Sequence, residues 1–186
     1  MRDHPAHDAL VRHLLEHSVK RGTFTLKSGR TSSWFIDAKQ TICRPEGILL
    51  IADLALPLID EDVNAIGGLT LGADPVAYGV AAIAATRGRA LRSFTIRKEA
   101  KDHGVEGRLA GPLLPGDRVV ITEDTVTRGT SVLEAARVAR ELGAHPVMAL
   151  AVVDRGGTCA AMAEAEGLRF EALVTAPELG FDYEGA

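Results

Sequence analysis

From Val63 onward, short runs of apolar and β-branched residues take turns with segments of helical period, and this alternation restricts the possible folds more than any other feature of the chain. The runs are Val63 to Ile66, Leu91 to Ile96, Val119 to Thr122 and Val147 to Val153, with helices expected from Asp74-Pro75 and from Ser131. Strands separated by helices pair in parallel and need cover on both faces, so the expected fold is α/β, a central, mostly parallel sheet flanked by helices. Asp74 is placed to cap one helix with Pro75 at its first position, Ser131-x-x-Glu134 reads as a capping box for the next, and Gly143 as its stop.

The ends of the chain fit around that unit. Asp8 to Lys20 places Leu10, Val11, Leu14, Leu15 and Val19 on one helical face. The stretch from Gly22 to Gln40 alternates apolar and polar residues about Ser28-Gly29, as a hairpin does, and Pro45 opens a further helical segment. A helix from Thr158 to Glu166 and a strand from Ala172 to Val174 lead to an acidic end, where six acids face Arg169 alone from Glu164 onward; this reads as a solvated face. There is no repeat, low-complexity tract or linker, so 1–186 reads as one domain.

Composition excludes several function classes. The 186 residues are 46% hydrophobic and carry a net charge of −4, which argues against a general binder of nucleic acid or anionic membrane. Cys43 and Cys159 stand far apart, without metal or disulfide spacing. The residues after Met1 form no apolar signal core and no apolar stretch approaches the roughly 18 residues that span a bilayer, so the expected location is the cytoplasm.

The chemistry concentrates in Val119-Val120-Ile121-Thr122-Glu123-Asp124-Thr125-Val126-Thr127-Arg128-Gly129-Thr130-Ser131. An apolar strand ends in adjacent carboxylates, then a Thr/Gly/Ser loop enters a helix. Ligands of open α/β sheets sit at the carboxyl ends of strands, and a helix start offers free N–H groups and positive dipole density to a phosphate. Two acids beside an anion site make sense when the ligand carries vicinal hydroxyls next to its phosphate, as a ribose 5-phosphate does. The plain alternative is that the acids solvate a strand end and Ser131 caps a helix. Neither G-x-x-x-x-G-K-S/T nor G-x-G-x-x-G occurs, which weighs against P-loop NTPases and dinucleotide-dependent oxidoreductases.

This segment resembles the ribose-phosphate signature of type I phosphoribosyltransferases. Phe24-Thr25-Leu26-Lys27-Ser28-Gly29-Arg30 with Ser32, Trp34 and Phe35, then Arg97-Lys98-Glu99-Ala100-Lys101-Asp102-His103-Gly104, and Asp154-Arg155, are similar to motifs of the orotate phosphoribosyltransferase family. The resemblance implies the type I phosphoribosyltransferase fold, with the helix and hairpin of about 1–45 forming a small hood over the base site. It implies Mg²⁺-dependent transfer of ribose 5-phosphate from 5-phosphoribosyl 1-diphosphate to orotate, giving orotidine 5′-phosphate and diphosphate in pyrimidine (UMP) biosynthesis.

Carried over residue by residue, the resemblance makes Lys101, His103 and Asp124 catalytic. Arg97, Lys98, Lys101, His103 and the run Glu123, Asp124, Thr125, Val126, Thr127, Arg128, Gly129, Thr130 and Ser131 would bind 5-phosphoribosyl 1-diphosphate. Lys27, Phe35, Ile36, Thr127 and Arg155 would bind orotate, Arg155 by a bidentate contact to its carboxylate. Trp34 reads instead as core packing. Mg²⁺ would be held mainly by diphosphate, ribose hydroxyls and water, with no dedicated protein ligand. The cationic residues 97–108 read as a mobile loop, and in this family that loop is donated to the neighbouring subunit of a homodimer; the plain alternative is a solvated charge run.

Some positions depart from the family pattern. Glu123 stands where Asp is commoner, Ile36 where many relatives have an aromatic, and Arg128 at a position usually small, where it either contacts phosphate or points to solvent. The segment Gly67 to Asp74 lacks the aromatic-lysine pair found in some relatives, so a cation must come from elsewhere. Two other functions stay open at this stage: transfer to another base, or in a biosynthetic paralogue, and a non-catalytic regulator that senses 5-phosphoribosyl 1-diphosphate.

Overall fold

A computed structural model describes residues 4–25, 29, 31–101 and 107–184, with the side chains of Ala100 and Lys101 excepted. In chain order the elements are α1 (Pro5–His17), β1 (Val19–Thr25), β2 (Thr31–Ile36), α2 (Lys39–Ile42), α3 (Pro45–Ala55), β3 (Ala65–Leu69), α4 (Ala73–Thr86), β4 (Arg92–Lys101), β5 (Gly107–Ala110), β6 (Arg118–Val126), α5 (Thr130–Glu141), β7 (His145–Asp154), α6 (Cys159–Ala165) and β8 (Arg169–Thr175). The main sheet has the order β5-β4-β3-β6-β7-β8. Its strands pair in parallel except β5, which runs antiparallel to β4 at the edge. β1 and β2 form a separate antiparallel hairpin.

Alternate residues of the parallel strands feed two apolar layers, as expected of a sheet covered on both faces. On one face Ile66, Val120, Leu150 and Val152 pack with Leu10 and Leu14 of α1, Ile51 of α3 and Val76 and Val80 of α4. On the other, Ala65, Val119, Ile121 and Ala149 pack with Val132, Ala135 and Ala139 of α5 and Ala163 of α6. The order of strands reverses between β3 and β6: the chain leaves β3 to build one side of the sheet, then returns to build the other. A crevice opens at such a switch point, outside the carboxyl ends of the strands.

Several boundaries move for local reasons. The first helix starts at Pro5 rather than Asp8, because the His4 ring accepts from the Ala6 N–H at 3.2 Å and Pro5 fits the first turn. It stops at His17 because Val19 and Lys20 pair with Ile36 and Phe35 in the hairpin. Asp74 is not a cap: Gly72 precedes α4, and the Asp74 carboxylate instead accepts from the hydroxyls of Thr70 (2.6 Å) and Thr95 (2.7 Å), tying the start of α4 to β4. The Ser131–Glu134 capping box does not form either. Gly129, at φ +79°, takes the cap position, Ser131 is exposed, and Glu134 is drawn away into an ion pair with Arg108.

The described residues of the expected loop 97–108, 97–101 and 107–108, lie in strands. Arg97 and Lys98 continue β4 and Arg108 lies on β5, two arms of an antiparallel hairpin. Arg97 donates to the carbonyls of Gly107 (3.3 Å) and Leu109 (2.9 Å), and Arg108 returns a bond to the Arg97 carbonyl at 2.7 Å. Two of the loop's cations therefore lock its arms together. Residues 102–106, His103 among them, lie outside the described residues.

Candidate active site

β6 outruns its apolar portion and carries Glu123 and Asp124 to the crevice, where Thr127 to Gly129 link it to α5. Gly129 makes this turn possible: its φ of +79° is costly for any residue with a Cβ, and a Cβ there would also collide with the Cys159 thiol. Val126 is buried in the core, so only its backbone is available to a ligand. Thr125 and Thr127 are half-buried, while Arg128, Thr130 and Ser131 are exposed. With Ser131 capping nothing, its hydroxyl and that of Thr130 remain at the mouth of the free N–H groups that open α5.

The acids are not equivalent. Glu123 is buried at 8% exposure, and burial followed by repulsion from Asp124 pushes its carboxyl up to about 8. Asp124 accepts from the Thr125 N–H at 2.8 Å and receives the ammonium of Lys39, a residue whose role the sequence did not disclose. Gly72 brings the β3–α4 connection directly onto this pair, since a Cβ there would overlap the Glu123 carboxylate. Switch-point geometry thus joins segments 51 residues apart, Gly72 and Glu123, at one point.

Beside this loop runs the turn after β7. The Asp154 carboxylate holds the N–H groups of Gly156 (3.0 Å) and Gly157 (2.9 Å), and Gly156 lies so close to the Thr127 carbonyl that a Cβ cannot fit. Arg155 is thereby placed next to the loop, buried at 7% exposure. It stacks over Trp34 at 4.7 Å and donates to the Trp34 carbonyl and the Ser32 hydroxyl, each at 3.1 Å. Its Nε is buried with no hydrogen-bond partner among the described residues. The guanidinium is thus fixed in place by stacking and by hydrogen bonds to the hairpin.

Strand alternation separates the aromatics of β2. Trp34 is inward, 1% exposed, and stacks on Phe181 at 4.4 Å with only 5° between the rings; Ile36 also points into the core. Phe35 faces outward, 39% exposed, beside Phe24 at 5.7 Å. Of the side chains at 34–36, only the Phe35 ring is exposed. Lys27 lies outside the described residues and Lys101 is described by backbone alone, pairing with Gly107.

The acidic end is not simply a solvated face. Glu178 accepts from the N–H (2.8 Å) and hydroxyl (2.7 Å) of Thr175, and Glu184 forms an ion pair with Arg155 and accepts from the Ser32 hydroxyl. Exposed Glu166 is also paired, with Arg140 at 3.1 Å. A cleft of about 800 Å³ lies between the hairpin and this terminal segment, with Arg21, Ser32, Trp34, Phe181 and Glu184 in its wall and none of the residues 123–131. Among the described residues no group of His, Cys, Asp and Glu could hold a metal ion by itself, and no helix is long and apolar enough to cross a membrane.

No family model matches the chain. The orotate phosphoribosyltransferase of Nostoc sp. is 39% identical over 172 residues, covering 92% of this chain and 84% of the relative. Among solved structures, the Mycobacterium tuberculosis orotate phosphoribosyltransferase in complex with Fe(III) dicitrate superposes with a TM-score of 0.84 at 37% identity, covering 95% of this chain and all of the other. The same enzyme in complex with 5-phospho-alpha-D-ribosyl 1-diphosphate gives a TM-score of 0.81 at 34% identity, again over 95% of this chain and all of the other. With this identity along nearly its whole length and the same sheet and flanking helices, the chain belongs to the orotate phosphoribosyltransferase family of pentosyltransferases.

Proposed function

We propose that the chain transfers the ribose 5-phosphate group of 5-phosphoribosyl 1-diphosphate to orotate, releasing diphosphate and forming orotidine 5′-phosphate for pyrimidine (UMP) biosynthesis in the cytoplasm. The observation that carries this reading is the convergence of Glu123 and Asp124 with the opening turn of α5, one set of groups for ribose hydroxyls and one for a phosphate, beside a buried arginine with an unpaired donor.

In this reading the N–H groups and hydroxyls of Thr127 to Ser131 hold the 5′-phosphate, and Glu123 and Asp124 accept from the ribose hydroxyls. Arg155 takes the orotate carboxylate, with Thr127 beside it, and Phe35 covers the base, Lys27 reaching toward it and Ile36 backing the strand. Arg97, Lys98, Lys101 and His103 meet the diphosphate. Orotate is already anionic, so no strong general base is required; Lys101 acts as charge builds on the departing oxygen.

The residues fit magnesium carried in by the substrate. Asp124 already holds Lys39, and Glu123 has a raised pKa, so neither offers a free carboxylate as a dedicated ligand. Diphosphate, ribose hydroxyls and water carry the oxygen donors such an ion takes, and when bound Mg²⁺ offsets the diphosphate charge near the acid pair. The chain 1–186 acts as a single domain in which about 1–45 form the hood over the base, and residues 97–108 reach the neighbouring site of a homodimer.

The test is to incubate the protein with Mg²⁺, 5-phosphoribosyl 1-diphosphate and a panel of bases while following orotate absorbance and diphosphate release. Loss of orotate matched by diphosphate is the expected result. Release with another base alone replaces orotate as the acceptor, and no release with any base points to a sensing protein.

A further inference from the structure

The acid pair presents an electrostatic difficulty. A substrate with several phosphate charges must approach Glu123 and Asp124, while the facing segment Gly67 to Asp74 contributes no lysine or arginine and adds Asp74 at its end. The cation is supplied from a different part of the chain. Lys39 opens α2 three residues after β2, and its ammonium donates to Asp124 Oδ2. The pair is partly withdrawn from water, with the Lys39 side chain 34% and that of Asp124 14% exposed, so solvent screens it less than a surface ion pair.

We propose that Lys39 is a positioning residue for 5-phosphoribosyl 1-diphosphate: it orients the Asp124 carboxylate toward the ribose hydroxyls and supplies the counter-charge beside it. The assignment rests on the reading of Asp124 as a ribose ligand. Its second oxygen supports the same role: Asp124 Oδ1 accepts from Thr125 N–H at 2.8 Å while Oδ2 holds Lys39, so the carboxylate is fixed at both ends. The charged groups around the ammonium are Asp124, Asp37 and Glu123. Burial alone would lower the lysine, but its hydrogen bond to Asp124 and these three carboxylates outweigh it and hold its pKa above the ordinary value. Lys39 also lies four residues after Phe35, so one short segment carries the ring that faces the base and the cation that steadies the ribose site.

The test compares wild type, Lys39→Met, Lys39→Arg, Asp124→Asn and the Lys39→Met/Asp124→Asn double variant, by calorimetric titration with Mg²⁺ and 5-phosphoribosyl 1-diphosphate and by steady-state kinetics. Lys39→Met is expected to weaken binding of 5-phosphoribosyl 1-diphosphate about tenfold, the scale of losing one charge-assisted hydrogen bond. The KM for orotate and the melting temperature should change little, and Lys39→Arg should recover most of the affinity. In the Asp124→Asn background Lys39→Met should add nothing, because a residue that acts through another shows no effect once that other is neutral.

Four results would overturn the proposal. If Asp124→Asn weakens binding and Lys39→Met does not, Lys39 has no positioning role. If the Lys39→Met loss persists undiminished beside Asp124→Asn, Lys39 acts on the substrate by itself. Equal losses for both substrates together with a lower melting temperature identify a structural role. If neither single variant affects 5-phosphoribosyl 1-diphosphate, the ribose-site reading of Asp124 fails, and the proposal with it.

Discussion

The carboxylate of Glu184 is paired with the guanidinium of Arg155, and the backbone N–H of Glu184 donates to the Arg155 carbonyl at 3.0 Å. The terminal segment thus lies along the same turn that faces the Thr127 loop, with Tyr183 against Gly157 and Phe181 on Trp34. A carboxylate already occupies the arginine expected to receive the orotate carboxylate.

On the proposed role of Arg155, orotate exchanges with Glu184, and an occupied site lowers apparent affinity by the fraction that is free. Glu184→Gln should lower the melting temperature without ligand, because it leaves a buried guanidinium without its counter-charge. It should also lower the orotate KM, by about threefold to tenfold for a site otherwise mostly occupied. Orotate should raise the variant's melting temperature more than it raises that of the wild type, as a thermal-shift titration would measure. A higher orotate KM would make Glu184 a part of the base site instead.

Trp34 and Phe35 are neighbours with opposite expected effects. Trp34 is buried between Phe181 and Arg155, so Trp34→Ala should cost about 3–5 kcal/mol of stability by denaturant unfolding. Phe35 is 39% exposed, so Phe35→Ala should leave stability within about 1 kcal/mol of wild type, as for surface substitutions, and raise the KM for orotate.

Glu123 makes stability depend on pH. Its folded-state pKa of about 8 exceeds the ordinary 4.5, so the folded protein binds a proton that the unfolded chain has released. The associated stability is complete below about 4.5 and is lost as pH rises through about 8. Melting temperatures recorded across this window should fall for the wild type relative to Glu123→Gln, whose own pH profile should be flatter.

Lys101→Ala should lower kcat by about two to three orders of magnitude, as removal of a group that meets developing charge does, with little change in either KM. Single-turnover measurements separate this loss from product release; an unchanged kcat would exclude Lys101 from the chemical step.

How much of this was legible beforehand follows from where each property resides. Local order carried the parallel sheet, the strand-to-helix turn at 123–131 and the inward Trp34, because strand and helix periods, and the residues needed at a tight turn, are properties of neighbours in the chain. Helix caps expected at Asp74 and Ser131 do not form because tertiary partners compete for the same groups: Thr70 and Thr95 for Asp74, and Arg108 for Glu134. Arg97 and Arg108 likewise read as a free cationic loop until pairing in the β4–β5 hairpin occupied their donors.

By itself the sequence determined the fold class, the acid pair before the turn into a helix, and the resemblance that points to orotate, since each is written in contiguous residues. Only the tertiary structure decided that Lys39 meets Asp124, that Gly72 closes on Glu123 and that Glu184 covers Arg155. Those pairs are 85, 51 and 29 residues apart, and no local propensity specifies a contact made by the parallel pairing of β3 with β6, by the placement of α2 or by the folding back of the C-terminal segment.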